Sequence, residues 1–153
     1  MPTTPLRAAA RVIILDDEQR VLLLYYAHGG FWATPGGARE VGEAPSRAAR
    51  RELHEELGIS ANVELSAPIA ERSQEHRVGG RLVRQVEQYF LARLAPTDIN
   101  PARATQTDNI HSSRWWPLDE LHTTSETIYP VGLSGLLTRL LTSGLPDRPV
   151  VLV

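Results

Sequence analysis

Two nearly unbroken apolar runs, Arg11–Leu15 and Val21–Tyr26, flank the polar stretch Asp16–Arg20. Runs this short and this rich in Val, Ile and Leu predict β-strands. Apolar residues at almost every position, rather than every second one, predict that both faces are covered. The pair reads as a hairpin with a moderately long turn. The following "HGGFWATPGGAREVGEAP" carries enough Gly and Pro to predict a loop, and Pro45 suits the first position of a helix. From Pro45 to Leu57 the apolar residues change to helical spacing, with Ala49, Leu53 and Leu57 in one stripe and Gly58 as the stop. Ala67–Gln74 and Leu82–Ala95 predict a second strand pair around "HRVGGR". A polar loop, "APTDINPARATQTDNIHSS", and a short strand at "RWWPL" come next. Leu133, Leu136, Leu137, Leu140 and Leu141 place a second helix in "VGLSGLLTRLLTSGL". The final "PDRPVVLV" reads as an edge strand, a dimer contact or a loose tail.

The 153 residues show no repeat, low-complexity tract or linker, so one domain spanning 1–153 is expected. Sixteen Lys and Arg against 18 Asp and Glu give a net charge of −2, which argues against general nucleic-acid binding, since that needs a basic face. A phosphate-bearing ligand would have to be held locally, by a few arginines or a metal ion. The absence of cysteine excludes disulfides, Cys-based zinc sites and thiol nucleophiles, and fits a cytoplasmic protein. The segment "MPTTPLRAAARVIILDDE" reaches acidic residues too soon for a signal peptide, and no apolar run approaches the roughly 20 residues of a membrane span.

The charge pattern of the first helix then asks for an explanation. Glu52, Glu55 and Glu56 fall within an arc of about 100°, with Arg51 at its edge. Like charges three and four residues apart repel, by a few tenths of a kcal/mol per pair. Three carboxylates alone fit a solvated acidic face as well as a site for a hard divalent cation such as Mg²⁺, which prefers oxygen ligands. The preceding glycines would let a backbone carbonyl join such a site.

The whole segment decides between these. It runs Gly37, five residues, Glu43, seven residues, then Arg51-Glu52-Leu53-His54-Glu55-Glu56-Leu57-Gly58-Ile59. This resembles, at every position, the signature box of the Nudix hydrolases, G-x5-E-x7-R-E-U-x-E-E-x-G-U with U aliphatic. Seven fixed letters at roughly 7% each would coincide on the order of 10⁻⁸ per starting point. The resemblance extends to the strand hairpin before the box, the "TPGG" leading into it, the strand pair after it, and "RWWPLDEL" with a terminal helix. It implies an α/β fold, a mixed β-sheet sandwiched between helices. It also implies Mg²⁺- or Mn²⁺-dependent hydrolysis of a nucleoside diphosphate linked to another group. By resemblance, Glu52, Glu55 and Glu56 form the metal-binding set, with the Gly37 carbonyl as a further ligand. Glu43 and Arg51 hold loop and helix together, and Glu55 or Glu56 takes the proton of the attacking water. Family members often form homodimers, which leaves a homodimer open here.

Outside the box the pattern thins. Many members add a carboxylate from a later strand or loop; Glu87 and Asp108 are the candidates, with Asn109 at the likeliest aligned position. Arg39 in the glycine loop and Arg72, Arg77 and Arg84 on the strand pair are candidate phosphate contacts, since Arg suits bidentate binding. Trp32 and Phe31 can stack on a base or pack beneath the loop. His54 occupies a variable box position and is expected to face solvent. The markers of the ADP-ribose, NADH, dinucleoside polyphosphate and CoA branches are absent. Small nucleotides, as nucleoside triphosphates, modified nucleotides or nucleoside diphosphate sugars, are therefore the expected substrates. A catalytically silent member that binds a nucleotide as a sensor is the alternative, and the intact carboxylates argue for the enzyme.

Overall fold

The computed structural model describes residues 4–107 and 109–153. Its centre is β1 (Leu6–Leu15), which begins five residues before the apolar run and pairs on both edges. On one edge β1 runs parallel to β6 (Arg81–Arg93) over its full length, from Leu6 opposite Arg84 to Leu15 opposite Arg93. On the other edge the expected hairpin with β2 (Val21–Tyr26) shrinks to the single pair Leu15 and Val21. The turn between them is built on Asp16, only 1% exposed. Its Oδ1 accepts the Glu18 and Arg20 amides at 3.0 and 2.8 Å, and its Oδ2 accepts Arg20 Nε at 2.7 Å.

The glycine-rich segment, expected to be a loop, contributes two short strands, β3 (Phe31–Ala33) and β4 (Gly36–Ala38). β3 pairs with β2, while β4 takes the part of the β1 edge that β2 leaves, with Ala9, Ala10 and Arg11 opposite Ala38, Gly37 and Gly36. Gly36 makes this approach possible. Its φ is +138°, and a Cβ there would lie 2.3 Å from the Ala10 carbonyl oxygen, so no side chain fits.

β5 (Ala70–Val78) forms a hairpin with β6 around Gly79–Gly80, shorter than the turn expected from the sequence. β7 (Ile110–Trp116) lies along β2 and starts four residues before the short strand at "RWWPL". Two-residue β8 (Ile128–Tyr129) pairs with β3, and β9 (Val150–Leu152) closes the far edge against β5. Of the three readings of the tail, the edge strand is the one realised. With β1–β6, β3–β8 and β5–β9 parallel and the other pairs antiparallel, the nine-stranded sheet is mixed.

Alternation along β1 sends Val12 and Ile14 to one face and Ile13 and Leu15 to the other, all fully buried. The first face packs on α1 (Pro45–Leu57) through Ala48, Ala49, Leu53 and Leu57. The second packs on α2 (Leu118–Thr123), unmarked by apolar periodicity, and α3 (Leu133–Ser143) through Leu121, Leu133, Leu136 and Leu137. The α/β/α sandwich is therefore present. The polar segment after β6 is not free: two 3₁₀ turns fold it back so that the Asn100 amide caps Leu57 O, and the Thr105 and Gln106 amides cap Glu55 O. Those bonds satisfy the end of α1. No described helix is long and apolar enough to cross a membrane.

Candidate active site

Arg51 organises the box. Its guanidinium donates to both oxygens of Glu43, at 2.8 and 3.0 Å, and to the Ala38 carbonyl at 3.0 Å. Its Nη1 also reaches Glu52 and Glu55, each at 3.2 Å. One side chain thus ties the loop before α1 to the helix and neutralises part of the acidic arc. The hydrogen bonds from Arg51 hold the Glu43 carboxyl down to about 2. Arg39 stays within this loop, with Nε and Nη2 donating to Glu43 O at 2.9 and 2.7 Å.

A pH dependence follows. A carboxylate depressed below its ordinary value of about 4.3 contributes stability that is complete above that value and is lost as pH falls through about 2. Glu43→Gln is expected to lower stability at pH 7 by about 1.5–3 kcal/mol, the scale of a lost hydrogen bond to a charged group. It should also flatten the acid side of the stability profile between about pH 4 and 2. Thermal melts at pH 7, 4 and 3 measure this; an unchanged acid slope in the variant would remove Glu43 as its source.

Glu56 is placed differently. Its Oε1 accepts the Gly36 amide at 2.8 Å, its Oε2 accepts the Tyr26 hydroxyl at 3.3 Å, and burial against β4 pushes its carboxyl up to about 7. Glu52, also raised by burial, sits over Gly37 so closely that a Cβ there would lie 2.7 Å from its Oε1. Glu55 shows its side chain to solvent at 21%. Among the described residues no three acidic or histidine side chains converge as a ready-made cation cage. The donor set nonetheless fits a divalent cation. Mg²⁺ keeps several of its own waters and needs only a few carboxylates plus substrate oxygens. Two desolvated carboxyls beside each other on a helix are the groups an added positive charge would relieve.

The remaining candidates are distributed as follows. Glu87 is 4% exposed; its Oε2 accepts Arg11 Nε at 2.5 Å, and its Oε1 accepts Arg72 Nη1 and Tyr89 OH, each at 3.3 Å. It shares the sheet face of Tyr89 rather than that of α1. Asp108 lies outside the described residues. Arg84 is exposed on the β5–β6 hairpin and pairs with Glu75 at 3.4 Å. Trp32 packs against Tyr25 and Trp116 at ring separations of 5.0 and 5.3 Å, and its Nε1 donates to Glu126 at 3.2 Å. His54 is half-buried rather than solvent-facing, with Nδ1 3.0 Å from Ile59 O.

Sequence reasoning passed over Arg11, Arg7 and Tyr26. Arg11 donates to Thr34 O at 3.3 Å and Gly36 O at 3.5 Å, behind β4. With Arg7, Gln85 and Gly37 it lines a cavity of about 240 Å³ at the box. A cation opening an otherwise apolar run was the available signal. The larger cavity of about 610 Å³, between Ile59, Val63, Leu91 and Asp98, contains no box carboxylate.

Comparison with known proteins bears on the family and the fold. The chain is 33% identical over 134 residues to an RNA pyrophosphohydrolase of Cellvibrio japonicus, spanning 76% of this chain and 78% of that one. It is 30% identical over 127 residues to an RNA pyrophosphohydrolase of Methylococcus capsulatus, spanning 77% of this chain and 66% of that protein's length. In fold it superposes on a MutT protein of Bacillus halodurans with a TM-score of 0.68 at 23% identity, covering 95% of this chain and 86% of that one. The NUDIX domain family model matches residues 5–132, so a chain with the complete box, this sandwich and these relatives belongs to the Nudix hydrolase family.

Proposed function

We propose that the protein is a Mg²⁺- or Mn²⁺-dependent pyrophosphohydrolase of nucleotides, cleaving a diphosphate bond at a nucleoside 5′ end by attack of water on phosphorus. The observation that carries this is the glutamate face of α1 set against the Gly36–Gly37 backbone, with Glu56 buried and its carboxyl raised to about 7. Glu52, Glu55 and Glu56, with the Gly37 carbonyl, would hold the cation. When bound, it supplies charge neutralisation for the diphosphate and lowers the pKa of water. Glu56 takes the proton of the attacking water as the new P–O bond forms and the P–O bond to the leaving phosphate breaks. Tyr26 and the Gly36 amide fix its orientation, Arg51 holds Glu52 and Glu55, and Arg7 and Arg11 offer cations to phosphate oxygens beside Gly37.

The two RNA pyrophosphohydrolase relatives favour a triphosphorylated RNA 5′ end as the substrate form, beside free nucleotides. A nucleotide substrate and a cysteine-free chain accord with a cytoplasmic setting. The test is hydrolysis of a panel by purified protein with Mg²⁺ or Mn²⁺, and again with EDTA. The panel holds nucleoside triphosphates, 8-oxo-dGTP, nucleoside diphosphate sugars, ADP-ribose and a short RNA bearing a 5′-triphosphate. Turnover should require the metal and fall about 10²-fold or more in Glu52→Gln, the loss of a charge-stabilising group. Nucleotide binding without turnover on any panel member would replace the enzyme by a nucleotide sensor.

A further inference from the structure

Past Arg72, β5 is an open edge of the sheet. β9 lies opposite Ala70, Glu71 and Arg72 alone, so residues 73–78 have β6 on one side and no described strand on the other. The register settles which backbone groups this leaves unpaired. Val150 lies opposite Ala70 and its amide donates to Ile69 O at 2.9 Å, so the odd-numbered residues turn their N–H and C=O toward the β9 side. The hairpin agrees. Val78 and Arg81 close the turn at Gly79 and Gly80, which directs the even-numbered residues toward β6. Glu75 and Arg77 therefore present unpaired backbone donors and acceptors along an exposed edge.

Such an edge is a template for another strand, and Lys, Pro or a row of like charges usually guards it. Residues 73–78 read Ser-Gln-Glu-His-Arg-Val, with neither Lys nor Pro and with one full charge of each sign. Glu75 reaches only Arg84, at 3.4 Å and in solvent. Arg77 donates to Gly80 O at 3.3 Å and, among the described residues, pairs with no carboxylate. A second copy can join this edge antiparallel about a two-fold axis perpendicular to the sheet, which keeps both faces continuous. Backbone parity then sets odd residues opposite odd ones. Glu75 against Glu75, or Arg77 against Arg77, would put like charges across the strands. The register between those two puts Glu75 of each copy opposite Arg77 of the other, where the pair exchanges both backbone hydrogen bonds and the two His76 side chains meet at the centre. Val78, an apolar side chain 43% exposed, is then covered by Gln74 of the second copy. An unrelated extended peptide would satisfy the backbone as well; the self-complementary order of the charges favours a second copy of this chain.

We propose that residues 73–78 are a homodimer interface, in which β5 of each copy pairs antiparallel with β5 of the other, Glu75 opposite Arg77, to form one continuous sheet. The paired segment is short, so the association is reversible and depends on concentration. It stands independently of the chemistry of the box.

Sedimentation equilibrium on the full chain, over about a thousandfold range of concentration, reads the association directly. The wild type should pass from monomer to dimer as concentration rises, and hydrogen exchange at the Glu75 and Arg77 amides should slow with it. Glu75→Arg and Arg77→Glu each set like charges across both symmetric pairs and should raise the dimer Kd by about tenfold or more. The double variant carrying Glu75→Arg and Arg77→Glu restores opposite charges in this register and no other, and should bring Kd back to within about threefold of the wild type. Both side chains are exposed, so dilute samples of all the variants should melt with the wild type. A wild type that stays monomeric throughout, a dimer indifferent to the single reversals, or exchange at Glu75 and Arg77 unchanged with concentration would each overturn the proposal. So would a double variant as weak as the singles, which would place the contact in another register or on another surface.

Discussion

Glu56→Gln is expected to lower kcat by about 10²–10⁴-fold, the usual contribution of a general base, while leaving the fold no less stable at pH 8. The two effects have one origin. Burial pushes the Glu56 carboxyl up to about 7, well above the ordinary value of about 4.3. In the cation-free protein the native state therefore holds a proton that the unfolded chain has released between those two values. Stability from this group is greatest below about pH 4.3 and declines as pH rises through about 7. A glutamine keeps an oxygen for the Gly36 amide and a partner for the Tyr26 hydroxyl, and it does not titrate. The decline between about pH 4.3 and 7 should accordingly shrink in the variant when melts are recorded in EDTA. A variant that melts lower than wild type at pH 8, or that keeps kcat within about tenfold, would take the base role and the buried charge away from Glu56.

Gly36→Ala is expected to cost about 4 kcal/mol or more and lower Tm by about 8–16 °C, with activity lost alongside. The added Cβ would fall 2.3 Å from Ala10 O and 2.6 Å from Arg11 Cα, both backbone, at a φ of +138°. Relief requires β4 to leave β1, and with it the amide that holds Glu56 and the carbonyl that Arg11 binds. Gly37→Ala provides the contrast. Its Cβ meets only the carboxyl end of Glu52, 2.7 Å away, which can move. That variant should melt close to wild type and lose activity, because the displaced group is one that would hold the cation. Thermal melts and turnover on both variants separate the outcomes; a Gly36→Ala protein as stable as wild type would mean that β4 is not clamped to β1 as described.

The box was legible in the sequence because its contacts are local. Arg51 reaches Glu52 and Glu55 within one helical turn, so spacing brings those together, while its pairing with Glu43 in the preceding loop is what the resemblance to the box implies. Val21–Tyr26 and Pro45–Leu57 match the expected bounds for the same reason: hydrophobic periodicity and an N-terminal proline are properties of the segment itself. Arg11 and Glu87 are 76 residues apart, and nothing in either neighbourhood announces the other. They meet because β1 and β6 run parallel, a register with no short turn to signal it. The segment holding β3 and β4 predicts a loop from sequence, since Gly and Pro weaken strand propensity. β4 forms a strand because the β1 edge at Ala9–Arg11, left open by β2, needs a partner and Gly36 allows the close approach, while β3 forms along β2.

The sequence alone determined the family, the helix that carries the glutamates, and the face on which they stand. Each depends on residues within about two dozen positions, where helical geometry converts spacing directly into proximity. Tertiary structure alone decided that Glu56 is buried against Gly36, that Glu87 is spent on two arginines, and that Arg11 borders two separate cavities. Burial and long-range ion pairing depend on which strands lie side by side, and that is settled only when the whole sheet has closed over its two layers of helices.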